Sequence, residues 1–253
     1  MIKLAIKNLL IISFVVFTLS ACDLFKMDNF DAPNASLHGG IIDIATGELV
    51  ETTLNTGSRL QFQELGYPTG LLTRVVMENG EYRDDLFFVG SYSVDFNTCN
   101  FYPFKVDKIE VKKGDNKIDF QVTPYIRVRN VNIRREGDAI VATFNLQAGK
   151  DEVRLSNVRI YASTDMYVGE PYTAFTPAGS EAVQSFSPAK VINDTETYTL
   201  KIDLKNTANN DFFFKYTTPR NFYFRIGAMA SVSGVGTIRR NYAPYTVIQL
   251  SRQ

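Results

Sequence analysis

The sequence predicts an all-β protein built from two tandem antiparallel β-sandwich domains. Apolar and polar residues alternate with a period of two in many short segments, and glycine-containing turn clusters separate these segments. The chain has 19 Phe and 13 Tyr but no Trp, and aromatic side chains suit pleated surfaces. Period-two alternation indicates strands with one buried face, as in antiparallel sheets. Closely spaced strands with few helical stretches are typical of sandwiches or barrels.

Alternating segments occur in both halves of the chain. In the N-terminal half the clearest are 59–65 and 117–122. The C-terminal half contains six predicted strands, at 127–133, 140–146, 153–162, 198–204, 222–228 and 245–250. Residues 169–191, which contain proline, are predicted to form a long loop between strands.

The predicted domain boundary lies at Pro124, which interrupts what would otherwise be one long strand from residue 117 to residue 131. Proline cannot donate to a strand ladder, so it marks an edge or a junction. We therefore expect one domain over residues 32–124 and a second over residues 125–253.

Residues 1–21 have the three parts of an export signal: Lys3 and Lys7, an apolar run over 9–19, and the small residues Ser20 and Ala21. A transmembrane helix is the alternative, but spanning needs about 20 apolar residues and this run is shorter. Residues 19–22 (Leu-Ser-Ala-Cys) resemble the lipobox of bacterial lipoproteins. That resemblance implies removal of residues 1–21, lipidation of Cys22, a tether over 22–31 and membrane attachment through the lipid.

Composition excludes several classes of function. Lys+Arg and Asp+Glu number 27 each, which leaves no basic footprint for a nucleic acid. With Cys22 lipidated, Cys99 has no partner in the chain and is predicted to be a buried thiol. The single histidine, His38, is expected at the edge of the first strand, which argues against zinc and against a Ser-His-Asp triad.

No cofactor, metal or enzymatic activity is predicted. Calcium could use Asp84 and Asp85 with Asp43 or Glu81, but acidic turn residues facing water explain these carboxylates better. Glycoside hydrolysis needs only two carboxylates, so the sequence leaves it open. Residues 234–239 begin like a dinucleotide fingerprint but are better explained as a hairpin loop, beside which Arg239 and Arg240 are expected to be solvated.

Clustered aromatic residues are the candidate ligand contacts, because sugars stack on ring faces. The candidates are Tyr102, Tyr167, Tyr172, Phe175 and Tyr216. Burial in the core is the alternative for each ring. Phe212, Phe213 and Phe214 are adjacent, so on one strand they cannot all face the same side.

Residues 37–43, 46–49, 79–82 and 86–92 resemble carboxypeptidase-regulatory-like (transthyretin-like) domains. Asn79 and Gly80 suit a tight hairpin, and Tyr92 is expected to place its ring in the core. These modules are structural or adhesive in that superfamily, so the resemblance implies no catalytic residues. The end of the chain, from residue 222 onwards, is similar to the last hairpin of an immunoglobulin or fibronectin-III-like sandwich.

The mature chain as a whole resembles a Bacteroidetes lipoprotein family of unknown function, domain-of-unknown-function family 3823. The resemblance rests on residues 28–34, 39–47 and 122–125. It implies an accessory role in glycan uptake, with an outer-membrane transporter and a surface glycan-binding lipoprotein as partners and polysaccharide as a ligand.

Three functions remain open: this accessory role, a structural or adhesion lipoprotein making only protein contacts, and an envelope hydrolase. The resemblance, with Asp23 after the lipid cysteine, favours the outer membrane and the cell surface. The periplasmic face is the alternative.

Overall fold

The computed structural model describes residues 32–67, 70–170 and 175–252, and it confirms the all-β class. In the N-terminal half, every element is a strand. These strands are β1 (Ala35–Asp43), β2 (Arg59–Glu64), β3 (Leu72–Val75), β4 (Glu81–Phe87), β5 (Gly90–Asp95), β6 (Thr98–Cys99), β7 (Lys105–Val111), β8 (Gly114–Lys117) and β9 (Phe120–Val122).

The first sandwich packs two sheets against each other. One sheet has the order β4-β1-β8, with β9 also paired to β1, and the other has the order β3-β2-β5-β7. Strand β1 is antiparallel to β4 but parallel to β8 and β9, so this sheet is mixed. Between the sheets, Phe62 lies edge-on to Phe87 at 5.3 Å and Phe87 packs on Tyr92 at 4.8 Å, measured between ring centroids. Tyr92 is fully buried, as predicted.

In its described residues the second sandwich contains nine strands, one short α-helix and a single 3-10 turn at Ser180–Ala182. The strands and the helix are β10 (Ile126–Glu136), β11 (Ala139–Ala148), β12 (Arg154–Ser163), β13 (Val183–Val191), β14 (Thr197–Asp203), α1 (Thr207–Phe213), β15 (Arg220–Ser231), β16 (Thr237–Ile238), β17 (Asn241–Tyr242) and β18 (Thr246–Leu250). One sheet is β10-β11-β14 and the other is β13-β12-β15, with β17 and β18 both paired to β15. All six strands predicted for this half are present.

Two large hydrophobic clusters fill the sandwiches, and a third, small cluster consists of Tyr161, Val168 and Tyr242. Of the two large clusters, one uses residues from Ala35 to Val122 and the other uses residues from Tyr125 to Leu250. Pro124 lies between these two ranges. The chain therefore forms two cores that meet along a junction, and the junction holds polar side chains.

The prediction of one long loop over residues 169–191 was wrong. Strand β13 lies within the predicted loop over 169–191. It is an edge strand in which no residue is fully buried, so it has no core face that would produce a period-two alternation of apolar and polar residues. The three adjacent Phe residues do not lie on a strand. Phe212 and Phe213 are in helix α1, and Phe214 is its C-cap residue. Asn206 caps the N-terminus of this helix, where its side chain accepts a hydrogen bond from the Ala208 N–H at 3.1 Å.

The Asn79-Gly80 turn is tight, as predicted. Gly80 has a positive φ of +85°, and its N–H donates to the Met77 carbonyl at 2.9 Å. The Met77 N–H donates to the Glu81 carbonyl at 2.7 Å, which closes a short hairpin loop, although the flanking strands β3 and β4 continue into different sheets.

The predicted export signal, Cys22 and the tether lie outside the described residues. Within the described residues, no helix has the length and apolar character needed to cross a membrane.

Candidate functional site

A cleft of about 350 Å³ opens at the junction of the two sandwiches. Its first wall comes from the turn after β1 and the residues that follow, and its second wall comes from the start of β10 and the segment after β17. The polar lining residues include Asp43, Glu48, Glu51, Asn79, Arg127 and Arg129, and the apolar ones include Leu49, Val128, Tyr242 and Pro244. Residues from both sandwiches are therefore needed to form it.

An ion pair between Asp43 and Arg127 joins the two walls. The Arg127 guanidinium donates to both carboxylate oxygens, and its Nη2–Oδ1 distance is 2.8 Å. The Ala45 N–H and the Thr46 hydroxyl also donate to Asp43, at 3.0 and 3.2 Å. Burial by itself raises the pKa of Asp43, but these hydrogen bonds and the Arg127 charge outweigh it and hold the pKa below its usual value. The bidentate pair fixes the width of the cleft at this point.

Arg225 lies deeper in the junction and is only 1 % exposed. It comes from β15 of the second sandwich, but its guanidinium forms an ion pair with Glu51 and donates to the Glu78 carbonyl at 3.1 Å, both in the first sandwich. It also donates to the carbonyls of Ala243 at 2.7 Å and Val168 at 3.3 Å. The buried cation therefore satisfies acceptors from both sandwiches and from the loop after β12.

Burial dominates the titration of the two carboxyls around Arg225. It raises the pKa of Glu51 despite the attraction of Arg225, and it raises the pKa of Glu78 as well. The Oε1 atom of Glu78 is buried without a hydrogen-bond partner.

Arg240 was predicted to be solvated, and that prediction is wrong: it is 7 % exposed. Its guanidinium donates to Asn157 at 2.7 Å and to Glu170 at 3.4 Å. Gly227 makes this burial possible, because a Cβ at that position would lie 2.5 Å from Arg240 Cδ. The same Glu170 accepts from Tyr161 at 2.6 Å, and its backbone carbonyl accepts from Thr53 of the first sandwich at 2.6 Å.

Backbone pairing completes the junction. Strand β16 runs parallel to β6, with Thr237 opposite Thr98 and Ile238 opposite Cys99. Beside this pair, Asn241 donates to the Asn100 carbonyl at 2.8 Å, and its Oδ1 accepts from the Ile126 N–H at 3.0 Å. Residues 234–239, considered above as a hairpin loop, therefore also contribute a strand that is paired to the first sandwich.

The four predicted aromatic contacts that lie within the described residues do not line this cleft. Tyr102 donates to Glu152 at 2.7 Å, and the ammonium of Lys150 lies 3.8 Å from its ring centroid. Phe175 stacks on Phe212 at 4.2 Å against the second core. Tyr167 and Tyr216 are both 47 % exposed, and Tyr172 lies outside the described residues. Their part in ligand binding stays a prediction.

Sequence reasoning missed the cleft, although one signal was available. Arg127 and Arg129 are two positions apart on a predicted strand, so they share a face. No sequence pattern near Arg127 predicts that this face meets Asp43, which lies 84 positions earlier in the chain. Reasoning from clusters also missed an aromatic pair on the second sandwich, Tyr223 and Tyr245, whose rings meet edge-on at 5.3 Å.

The other candidate groups have partners of their own. Asp84 pairs with Arg74, Asp85 with Arg83 at 2.7 Å, and His38 with Asp115 at 3.1 Å. The described part of the chain holds no group of three or more His, Cys, Asp or Glu placed to bind a metal. Cys99 is buried as predicted, and burial raises the pKa of its thiol to about 12.

The cleft can form several hydrogen bonds with a small polar ligand. Its volume lies near the lower end of the range of roughly 300–1,000 Å³ typical of small-molecule pockets. Arg129 and Glu48 are exposed at its mouth, whereas Asp43 and Arg127 are held in place by each other. Leu49 and Pro244 provide apolar surface beside these groups. Carboxylate, amide and guanidinium groups next to apolar surface can recognise a ligand with many hydroxyls.

Comparisons with known proteins give a family and a set of solved relatives. Residues 126–245 match the domain of unknown function DUF3823_C. A solved protein from Bacteroides uniformis, named as a candidate carbohydrate binding protein, is 45 % identical with a TM-score of 0.80; the match covers 86 % of this chain and 100 % of that one. DUF3823 family proteins from Bacteroides ovatus and Parabacteroides merdae share the fold at 22 % and 20 % identity. Each has a TM-score of 0.65, and these matches cover 86 % and 87 % of this chain and all of theirs. No curated protein matches the chain.

Proposed function

The chain belongs to the DUF3823 family, and from that premise we propose that it is a carbohydrate-binding protein that takes a saccharide into the cleft between its two sandwiches. The observation that carries the proposal is the cleft itself. Its polar groups come from both sandwiches, and the Asp43–Arg127 pair holds them in a fixed arrangement. A site that is already ordered before binding loses little conformational entropy when the ligand arrives.

The chemistry of the lining supports a saccharide. Vicinal hydroxyls donate to carboxylates and accept from guanidinium and amide groups, and Glu48, Arg129 and Asn79 offer these three kinds of partner. Leu49 and Pro244 offer apolar surface to the C–H faces of a sugar ring. The name given to the Bacteroides uniformis relative, at 45 % identity, supports the same class of ligand.

In this proposal the protein binds its ligand without catalysing a reaction on it. A lipid on Cys22 holds the protein at the outer membrane, with its sandwiches at the cell surface. It would serve a glycan-uptake system beside an outer-membrane transporter and a surface glycan-binding lipoprotein. Mass spectrometry of the purified native protein tests the anchor, since diacylation of Cys22 and loss of residues 1–21 must appear together. Protease shaving of intact cells tests the exposure.

Isothermal titration against a panel of soluble polysaccharides and oligosaccharides tests the binding. We expect one ligand class to bind, and we expect Arg129→Ala to weaken it by at least about tenfold, the effect of losing one charged hydrogen bond. Arg134→Ala is the matched control. Arg134 lies on the same strand and is exposed, but it does not line the cleft, so its variant should bind as the unmodified protein does.

Absence of binding across the panel, or equal weakening by both arginine variants, would contradict the assignment to the cleft. A stable protein partner recovered from solubilised envelope, without any glycan binding, would favour the structural or adhesion role instead. Release of product from any member of the panel would contradict binding without turnover.

A further inference from the structure

One end of the first sandwich exposes a group of large apolar side chains, which we call the apolar tip. The tip is formed by Leu65 after β2 and by Leu86, Phe88 and Val89 around the turn between β4 and β5. Their exposed fractions are 40 % for Leu65, 71 % for Leu86, 44 % for Phe88 and 47 % for Val89. Backbone pairing brings the two segments together, because the Leu65 N–H donates to the Ser91 carbonyl at 2.8 Å.

The tip lies at the end of the sandwich where the preceding chain enters. Ala35, the first residue of β1, is paired with Phe87 on one side and with Gly114 on the other. The Gly114 N–H donates to the carbonyl of Asn34 at 3.0 Å. Residue 34 and the apolar tip are therefore at the same end of the same sheet.

Positive charge is placed at this end as well. Lys112 and Lys113 form the turn between β7 and β8; both are exposed, and β7 ends at Val111 opposite Gly90. Three of the carboxylates nearby have partners of their own: Asp85 pairs with Arg83 at 2.7 Å, Glu110 with Lys108 at 2.6 Å and Asp115 with His38 at 3.1 Å. Glu64 places a fourth carboxylate beside Gly90. The hydrogen bond from Lys108 lowers the pKa of Glu110, and the charge of Lys112 adds to this effect. Within the described residues neither Lys112 nor Lys113 forms an ion pair, so both ammonium groups can contact an anionic partner.

We propose that the apolar tip rests on the surface of a phospholipid membrane, with Phe88 and its neighbours in the headgroup region and the two lysines against anionic lipid. Exposed apolar side chains rimmed by lysine are the pattern of a surface that lies on a bilayer. The position of the tip also favours contact with a membrane. Ala32 lies ten positions after Cys22, so the chain between them spans at most about 36 Å. A lipid at Cys22 would therefore keep this end of the sandwich close to the membrane. Membrane contact by the tip rests on the lipid anchor at Cys22 proposed above and is independent of what the cleft binds.

The chain offers a clean test because it has no Trp and because Cys99 is buried. A chain beginning at Cys22 keeps every described residue, and its Cys22 thiol can be coupled to a maleimide lipid in vesicles of phosphatidylethanolamine and phosphatidylglycerol. Phe88→Trp then places a single reporter in the tip. Val191→Trp places the matched reporter in an apolar position that is 63 % exposed on the second sandwich.

We expect brominated lipids to reduce the fluorescence of the tryptophan at position 88 by at least about twofold, with a blue shift, since such surfaces are buried about 5–10 Å into the interface. The tryptophan at position 191 should show neither effect. Lys112→Glu combined with Lys113→Glu should weaken the quenching at position 88. Equal quenching at both positions, or none at position 88, would overturn the proposal. So would a dimer in sedimentation that covers the tip and is lost in Phe88→Ser.

Discussion

Arg225 and Glu51 form an ion pair inside the protein although they lie 174 positions apart in the chain and belong to different sandwiches. The ring of Tyr242 lies 4.5 Å from the guanidinium carbon of Arg225. Together with the carbonyls of Glu78, Val168 and Ala243, these groups surround a cation that has almost no contact with solvent. The junction of the two sandwiches therefore encloses the charge of Arg225.

Replacing that charge should destabilise the whole chain. Arg225→Met removes the cation, leaves Glu51 without its ion-pair partner and removes one hydrogen bond from each of three carbonyls, those of Glu78, Val168 and Ala243. We expect the free energy of unfolding to fall by about 3–5 kcal/mol, the usual effect of breaking a buried ion pair. Urea unfolding followed by circular dichroism measures it.

The control for this variant is Arg220→Gln on the same strand. Arg220 is exposed, and its guanidinium carbon lies 3.8 Å from the Tyr216 ring centroid, so the loss should stay below about 1 kcal/mol. Equal unfolding midpoints for Arg225→Met and the unmodified protein would contradict the role assigned to Arg225.

The Asp43–Arg127 pair should make stability depend on pH in the acid range. Burial works against ionisation of Asp43, but the Arg127 charge and the hydrogen bonds from Arg127 and Ala45 dominate and hold its pKa below the ordinary value of 3.8. A carboxyl with a lowered pKa stabilises the fold above its unfolded pKa, and this contribution is lost as the pH falls through the folded pKa.

Asp43→Asn should therefore be less stable than the unmodified protein at pH 7 and should lose less further stability between pH 4 and pH 2. Denaturant titrations at a series of pH values compare the two curves. Arg127→Gln should flatten the curve in the same way, because Asp43 then loses its cation. Parallel curves for all three proteins would show that the pair contributes nothing to the pH dependence.

Gly149 should not tolerate even one added carbon. Its N–H donates to the Tyr125 carbonyl at 2.8 Å, and a Cβ at this position would lie 1.8 Å from the Pro124 carbonyl oxygen. Gly149→Ala must therefore displace the backbone between the two sandwiches, and we expect a loss of about 1–3 kcal/mol in the free energy of unfolding. Gly70→Ala is the matched control, because no atom of the described residues beyond its chain neighbours would lie within 4 Å of the added Cβ. A thermal midpoint for Gly149→Ala equal to that of the control would contradict this steric account.

The Cys99 thiol should be unreactive while the protein is folded. It is 1 % exposed, its pKa is raised to about 12 by burial, and it donates to the Phe101 carbonyl at 2.9 Å. Only the thiolate attacks a disulfide reagent. In a chain that begins at residue 23, we expect no reaction with an aromatic disulfide reagent at pH 8 until urea unfolds the protein. Full labelling within minutes under native conditions would show that the thiol is accessible.

Strands could be predicted where the burial pattern is local. The alternation in residues 222–228 follows directly from the core face of β15, where Phe222, Phe224 and Ile226 are buried. The other face of the same strand carries Tyr223, Arg225 and Gly227, and alternation predicts that this face meets solvent. It is covered instead by the loop after β12 and by the first sandwich. The residues that contact Arg225 there are Val168 and Glu51, which lie 57 and 174 positions earlier in the chain. No local pattern contains that information.

The site was harder to predict than the fold for the same reason. Runs of aromatic residues are visible in a sequence, whereas the cleft is formed by single polar residues from distant segments. Phe212 and Phe213 illustrate the limit of reasoning from alternation. On one strand the three adjacent Phe residues could not all face the same side, but Asn206 caps a helix here, and both Phe212 and Phe213 pack on Phe175.

The pairing of Glu51 with Arg225 has a consequence for the order in which the protein can be completed. A ribosome adds about 5–20 residues each second, so 174 positions correspond to roughly 9–35 s between the two residues. During that interval the acidic side chain must remain hydrated, because a carboxylate enclosed without its cation would be costly. The N-terminal sandwich can gather its strands early, but it can seal this surface only after nearly the entire polypeptide has been made.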